Sequence, residues 1–262
     1  MRDNLKAMIK FFVPRIVQVK NNENNNPRKA TEQDDLVEKA ISWWKNDEYT
    51  KVQKFKNLRW LGLTFFRIPY YETVKGIYFK PAIDLVKIVK KMQKDKIIPS
   101  LDKNSKIFES GCNVGRNLYY LQKAFNCEVV GIDISQQAID IAKNKIWKNR
   151  EKYEFHIGNV LTTDFFDQFT DNYFDLVFTR WHLIHIPLSA EKKKYVESLK
   201  RISKILVLLE PVRQNCNEVE LYQDGRYTLS WDDWVSEYNL KEYKSNLLTK
   251  RKDNTKAFYF LS

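Results

Sequence analysis

The chain has 262 residues, 43% of them hydrophobic and 14% aromatic, enough to fill the core of one large domain with an extension. No run of about 18 apolar residues occurs, which excludes a membrane-spanning helix by composition. The formal net charge is +12, with 22 Lys+Arg against 12 Asp+Glu in residues 1–105 and 23 against 21 in residues 106–262, so the excess lies in the N-terminal part. Such an extension can attract nucleic acid, an anionic membrane or an acidic substrate. No Arg-rich or Gly-rich motif accompanies the charge, which favours a solvated lysine surface.

In chain order, "MRDNLKAMIKFFVPRIVQV" starts basic and turns apolar, but Pro14 and Arg15 cut its apolar run and no small-residue cleavage site follows. It reads as a frayed terminus. "NNENNNPRK" (21–29) reads as a linker, which makes residues 1–30 a flexible arm. Leu36, Val37, Ala40, Ile41 and Trp44 then fall on one helical face. Eleven of the 37 aromatics crowd into residues 43–79, marking an apolar surface that must be covered. A further helix is predicted from Pro81, with the stripe Leu85, Ile88, Val89 and Met92. Together residues 31–105 read as a helical, aromatic-rich cap, expected to lie over the carboxyl ends of the strands that follow.

From Lys106 the pattern changes to strand-length apolar runs alternating with helical stretches. Strands are predicted at "KIFESG" (106–111), "EVVGIDI" (128–134), "YEFHIG" (153–158), "FDLVFTR" (174–180) and "KILVLLE" (204–210). The helices between them carry Leu118, Leu121 and Phe125; Ala138, Ala142 and Ile146; and Tyr195, Leu199 and Ile202. This alternation implies βαβ units and a doubly wound parallel sheet. "SWDDWVSEY" reads as a helix with Ser230 as its N-cap, and "LKEYKSNLLTK" and "TKAFYFLS" read as two strands turning at "RKDN". A terminal antiparallel hairpin is therefore expected. Residues 106–262 read as one α/β domain. The lysine run 192–194 reads as the wet face of a helix.

The turn after the first strand, "FESGCNVGRNLYYL", is the place where an open parallel sheet binds ligands. A dinucleotide site wants G-x-G-x-x-G, and those positions hold Gly111, Asn113 and Arg116, so no pyrophosphate cradle is evident. The phosphate loop G-x-x-x-x-G-K-[ST] is absent as well. The stretch resembles instead motif I, E-x-G-x-G-x-G, of the class I S-adenosylmethionine-dependent methyltransferases, standing here as Glu109, Gly111, Asn113 and Gly115. The resemblance runs from Lys106 to the C-terminus and implies a seven-stranded sheet whose last pair is antiparallel. Asn113 departs from the motif, but asparagine tolerates left-handed backbone angles and offers an amide.

The resemblance implies S-adenosylmethionine as cofactor and no metal. Asp133, at the end of the second strand, would accept the ribose hydroxyls; it can also be read as a residue favoured by the start of the next helix. Asn159 stands where the family usually has an aspartate toward the adenine amino group, and Val160 would offer its backbone N–H. Cys112, Ile134 and Thr179 complete the implied cofactor contacts. "FDLVFTRWHLIHIP" resembles the family's fourth strand and the segment after it. It places Arg180 and Trp181 beside the acceptor, with His185 and His182 as candidate bases. A hydrogen-bonded structural role stays open for His185. His156, inside a strand, reads as structural. Glu210 and Arg213 would face the ligand edge.

The function implied is methyl transfer to a small polar metabolite such as a sugar hydroxyl. Two alternatives stand beside it: an RNA methyltransferase holding phosphates with the basic extension, and a cofactor-binding partner protein without catalysis. The N-P-P-Y type motif of base-amine enzymes is absent. Three cysteines without metal spacing (Cys112, Cys127, Cys216) read as reduced thiols and suggest a cytoplasmic protein.

Overall fold

The computed structural model describes residues 80–162, 164–186, 190–211, 235–249 and 255–262. The arm 1–30, most of the expected cap, Ser230, the turn at 251–254 and Arg213 lie outside them. The elements are α1 (Lys80–Lys94), β1 (Lys106–Ser110), α2 (Arg116–Phe125), β2 (Glu128–Asp133), α3 (Gln136–Ile141, continued by a π turn at Ala142–Ile146) and β3 (Tyr153–Ile157). They are followed by α4 (Asp164–Asp167), β4 (Leu176–Arg180), a 3₁₀ turn (Leu183–His185), α5 (Ala190–Arg201), β5 (Ile205–Pro211), β6 (Lys241–Tyr243), α6 (Asn246–Thr249) and β7 (Thr255–Leu261). No helix among the described residues is long and apolar enough to cross a membrane.

The seven strands form one sheet in the order β3-β2-β1-β4-β5-β7-β6. The first five are parallel, and β7 runs antiparallel to both β5 and β6. The order reverses between β2-β1 and β4, so the carboxyl ends of β1 and β4 flank the crevice where such sheets take ligands.

Both faces of the sheet are apolar, as a parallel sheet requires. Alternation along each strand sorts the side chains. Ile107, Val129, Leu176, Phe178 and Val207 face a core shared with α1, α2 and α3. Phe108, Val130, Val177, Leu206 and Leu208 face a second core with Phe166, Phe174, Tyr195 and Leu199.

Helix α1 opens at Lys80 and buries Leu85, Ile88, Val89 and Met92, the stripe read from sequence. It packs beside α2 and α6 on one face of the sheet, not over the strand ends. The reason is that Leu118 and Leu121 of α2 offer this stripe an apolar partner on the face. Tyr243 of β6 fastens the far end, its hydroxyl donating to Asp95 at 2.7 Å.

Two further expectations are corrected. "LKEYKSNLLTK" forms a strand only over Lys241–Tyr243; Ser245 then accepts the Leu247 N–H on its hydroxyl and the Leu248 N–H on its carbonyl, which starts the short helix α6. Lys192 is not on a wet face: it is fully buried, while Lys193 and Lys194 are exposed. Residues 192, 195, 196 and 199 make the buried stripe of α5, so lysine occupies its first position.

Candidate active site

The β1–α2 turn is built from left-handed residues. Asn113 has φ 50° and Gly115 φ 70°, ψ 27°. The Asn113 side chain accepts the N–H of the next residue, Val114, at 2.8 Å, a local bond that steadies this backbone state. A side chain at Gly115 would place its Cβ 2.6 Å from Phe155 and 2.8 Å from Trp147. At Gly111 it would meet the His182 ring at 2.1 Å. The two glycines thus admit protein side chains from β3 and from the segment after β4. The Gly111 and Cys112 N–H groups both donate to the Ile132 carbonyl, which holds the turn against the end of β2.

Asp133 is half-buried at that end. Its Oδ2 accepts the Asn113 N–H at 2.7 Å and its Oδ1 the Ser135 N–H at 3.0 Å. The helix that follows is capped by Ser135, whose hydroxyl accepts the Ala138 N–H. Asp133 is therefore not that helix's cap; it joins the first and second strand-end loops. A carboxylate accepts about four hydrogen bonds, so two backbone donors are compatible with a ribose diol on the same group. Ile134 lies beside it, half-buried. Beyond β3, Asn159 closes a turn by accepting the Leu161 N–H on its Oδ1 at 3.0 Å, and Val160 is buried. Asp133, Asn159 and the Asn113 turn stand at the carboxyl ends of three adjacent strands, an arrangement that fits a nucleoside cofactor.

Glu109 lies beneath the turn, 1% exposed, and burial pushes its carboxyl up to about 8. Asn117 donates to its Oε1 at 2.6 Å, and Arg180 donates in turn to Asn117 Oδ1 at 3.2 Å. Asn117, which sequence reading passed over, thus links the buried acid of β1 to the half-buried cation ending β4.

After Arg180 the chain bends sharply. Trp181 has φ 54°, rare for a bulky residue, and its indole N–H donates to Thr255 of β7 at 2.9 Å. His182 and His185 follow, both half-buried. The His182 ring lies edge-on to Tyr195, and its Nε2 is buried with no hydrogen-bond partner among the described residues. Burial, aided by the nearby His185 and Lys192, holds this imidazole down to about 3. His182 is thus neutral at physiological pH and a weak base. His156 lies in β3 against Phe165 and pairs with Glu154 at 3.0 Å, away from this segment.

Glu210 is not at the ligand edge. It is fully buried, and its Oε1 accepts the Thr179 hydroxyl at 2.8 Å and the N–H groups of His182 at 3.1 Å and Leu183 at 3.2 Å. Glu210 shares its face of β5 with Leu206 and Leu208, the face that α5 covers. The Thr179 hydroxyl is consequently turned inward as well. From α5, Lys192 Nζ donates to the carbonyls of Leu183 at 2.7 Å and Ile186 at 2.6 Å. Tyr195 on the same helix donates to Ser110 Oγ at 2.7 Å.

This geometry has relatives. Residues 107–205 match the family described as "Methyltransferase domain". Over these residues, from β1 to the start of β5, the chain carries a methyltransferase domain. It is 27% identical over 150 residues to a phosphoethanolamine N-methyltransferase of Plasmodium falciparum, covering 57% of this chain and 50% of that protein. It is 28% identical over 109 residues to phosphoethanolamine N-methyltransferase 1 of Arabidopsis thaliana, covering 41% of this chain and 21% of that one. The chain thus spans half or less of these curated relatives. A solved structure from Leishmania major, described as a SAM-dependent methyltransferase, matches with a TM-score of 0.57 at 13% identity, covering 86% of this chain and 82% of that one. The cyclase SpnF matches with a TM-score of 0.51 at 14% identity, covering 67% and 64%. At these identities the solved structures speak for the fold alone.

Proposed function

We propose that this protein transfers the methyl group of S-adenosylmethionine to a small polar metabolite. The observation that carries the reading is the Asp133 carboxylate. It accepts the Asn113 N–H of the β1–α2 turn and stands beside the Asn159 turn, where a nucleoside would lie across three strand ends. The cofactor supplies an electrophilic methyl on a sulfonium. The chain supplies binding, alignment and, where the acceptor needs it, a base. Asp133 receives the ribose hydroxyls. Glu109, Gly111, Cys112, Asn113 and Gly115 form the floor of the site, while Ile134, Asn159 and Val160 border the adenine. Arg180 and Trp181 meet the acceptor, and His185 takes its proton.

The acceptor class is supported by two relatives named phosphoethanolamine N-methyltransferases, whose substrate is small, polar and anionic. Arg180, a half-buried cation at the end of β4, suits an anionic acceptor. Calorimetry with S-adenosylmethionine and S-adenosylhomocysteine tests the cofactor. Release of S-adenosylhomocysteine with phosphoethanolamine, ethanolamine and sugar acceptors in turn tests the acceptor class. Folded protein that binds neither nucleoside removes the reading. Binding without turnover on any acceptor favours a non-catalytic partner, and turnover on RNA alone favours the polymer reading.

A further inference from the structure

The 3₁₀ turn Leu183–His185 has few bonds of its own: the His185 N–H reaches the His182 carbonyl at 2.9 Å, and the Ile186 N–H reaches the Leu183 carbonyl at 3.2 Å. A turn this short cannot satisfy its own ends. Two buried side chains of opposite charge do so. Glu210, from β5, takes the N–H groups of His182 and Leu183. Lys192, from α5, takes the carbonyls of Leu183 and Ile186. We propose that Glu210 and Lys192 are positioning residues, a two-sided grip that fixes the turn and so sets His185 against the acceptor.

The energetics argue for a purpose beyond filling space. Both residues are fully buried, and burying charge is expensive unless each group is well bonded. Desolvation pushes Glu210 up to about 7 and Lys192 down to about 7, and the attraction between them opposes both shifts. Apolar residues would fill this volume at lower cost, but they would leave four backbone groups of the turn without these partners. Glu210 meets the two N–H groups at the start of the turn, and Lys192 meets the carbonyl of its first residue and that of the residue just past its end. A third pin, the Trp181 indole on Thr255, fixes the residue just upstream. None of these bonds involves Asp133, Asn113 or Asn159, although the His182 ring packs against Gly111 of the β1–α2 turn.

The inference rests on the methyl-transfer reading, and the experiment separates the two. Wild type, Glu210→Ala, Glu210→Gln and Lys192→Met are compared by S-adenosylmethionine calorimetry, by turnover on the best acceptor of the panel, and by NMR of ¹⁵N-labelled histidine rings. Glu210→Ala and Lys192→Met should lower kcat by about 10- to 100-fold, the penalty of a small misplacement, with cofactor affinity within about threefold. The His185 ring signal should move in both, with or without cofactor, so that readout does not depend on an acceptor. Glu210→Gln keeps an oxygen at the acceptor position and should recover most of the turnover and the wild-type ring signal. Should Lys192→Met or Glu210→Ala fail to fold, the uncharged pair Glu210→Gln/Lys192→Met carries the same test, with kcat and ring signal expected to change. Unchanged kcat and ring signal in the folded variants overturn the grip. So does a loss of cofactor affinity in step with kcat, which would mark a general structural role. Failure of the wild type to bind cofactor overturns the methyl-transfer reading instead.

Discussion

Asp133 does two jobs that pull its substitutions in one direction. Its carboxylate ties the Asn113 and Ser135 N–H groups, and in the proposed complex it also receives the ribose. Asp133→Ala should weaken S-adenosylmethionine binding by about 1–3 kcal/mol, the usual loss for charge-assisted bonds, and cost stability of about 1 kcal/mol. Calorimetry and thermal unfolding read the two separately; unchanged affinity would leave Asp133 as a loop tie only. Glu109 makes a pH prediction. Its carboxyl is pushed by burial from the usual value up to about 8 in the folded chain. The native state therefore keeps a proton that the unfolded state has already released. Its stabilising contribution is present below about 4.5 and is lost as pH rises toward 8, by on the order of 1 kcal/mol per pH unit. Glu109→Gln holds a neutral group there at every pH. Relative to it, ligand-free wild type should lose stability between pH 5 and 8. Parallel pH profiles of unfolding for the two proteins would mean that Glu109 is already ionised in the folded state.

The elements show which parts of the sequence could be read. The five parallel strands were legible because each is a short apolar run covered on both faces, and the helical stripes because their spacing admits only one face. Lys192 was misread through its chemistry, although its spacing to Tyr195, Val196 and Leu199 already put it on the buried side. Glu210 carried a similar signal: alternation from Leu206 and Leu208 assigns it to the face under α5. A charged residue at a strand end invites a ligand role, and only the partners of the neighbouring turn show that it serves the backbone. Asn117 had no signal in sequence, because its link between Glu109 and Arg180 depends on how two strands and a helix meet. The β1–α2 turn gives a prediction at this scale. Gly115→Ala should destabilise by about 2 kcal/mol or more, since φ is 70° and Phe155 and Trp147 occupy the space a methyl would take. Asn113→Gly should cost only about 0.5–1 kcal/mol in stability, because glycine also accepts the left-handed state but lacks the amide that takes the Val114 N–H. A Gly115→Ala protein as stable as wild type would mean that the turn relaxes without cost.

At the scale of the molecule, the N-terminal part divides at α1. The stripe Leu85, Ile88, Val89 and Met92 is buried against the core that holds Leu118 and Leu121, so this helix belongs to the sheet's own packing. Residues 31–79, dense in aromatics, are the segment for which a covering role over the site is proposed. The two roles predict different truncations. A fragment of residues 80–262 should fold and keep weakened cofactor binding, with turnover lost, because acceptor contacts and water exclusion would go with the cover. A fragment of residues 97–262 should be insoluble or aggregate, because removing α1 strips an apolar face several side chains wide and leaves Leu118 and Leu121 uncovered. Removing residues 1–28 alone should change neither folding nor turnover, since the arm lacks helical periodicity. Solubility, cofactor calorimetry and turnover of the three fragments decide the matter. A fully active 80–262 fragment would refute the cover. A soluble 97–262 fragment would refute the core role of α1. Lost turnover on removing 1–28 would give the basic arm a direct part in holding an anionic substrate and would move the acceptor toward a polymer.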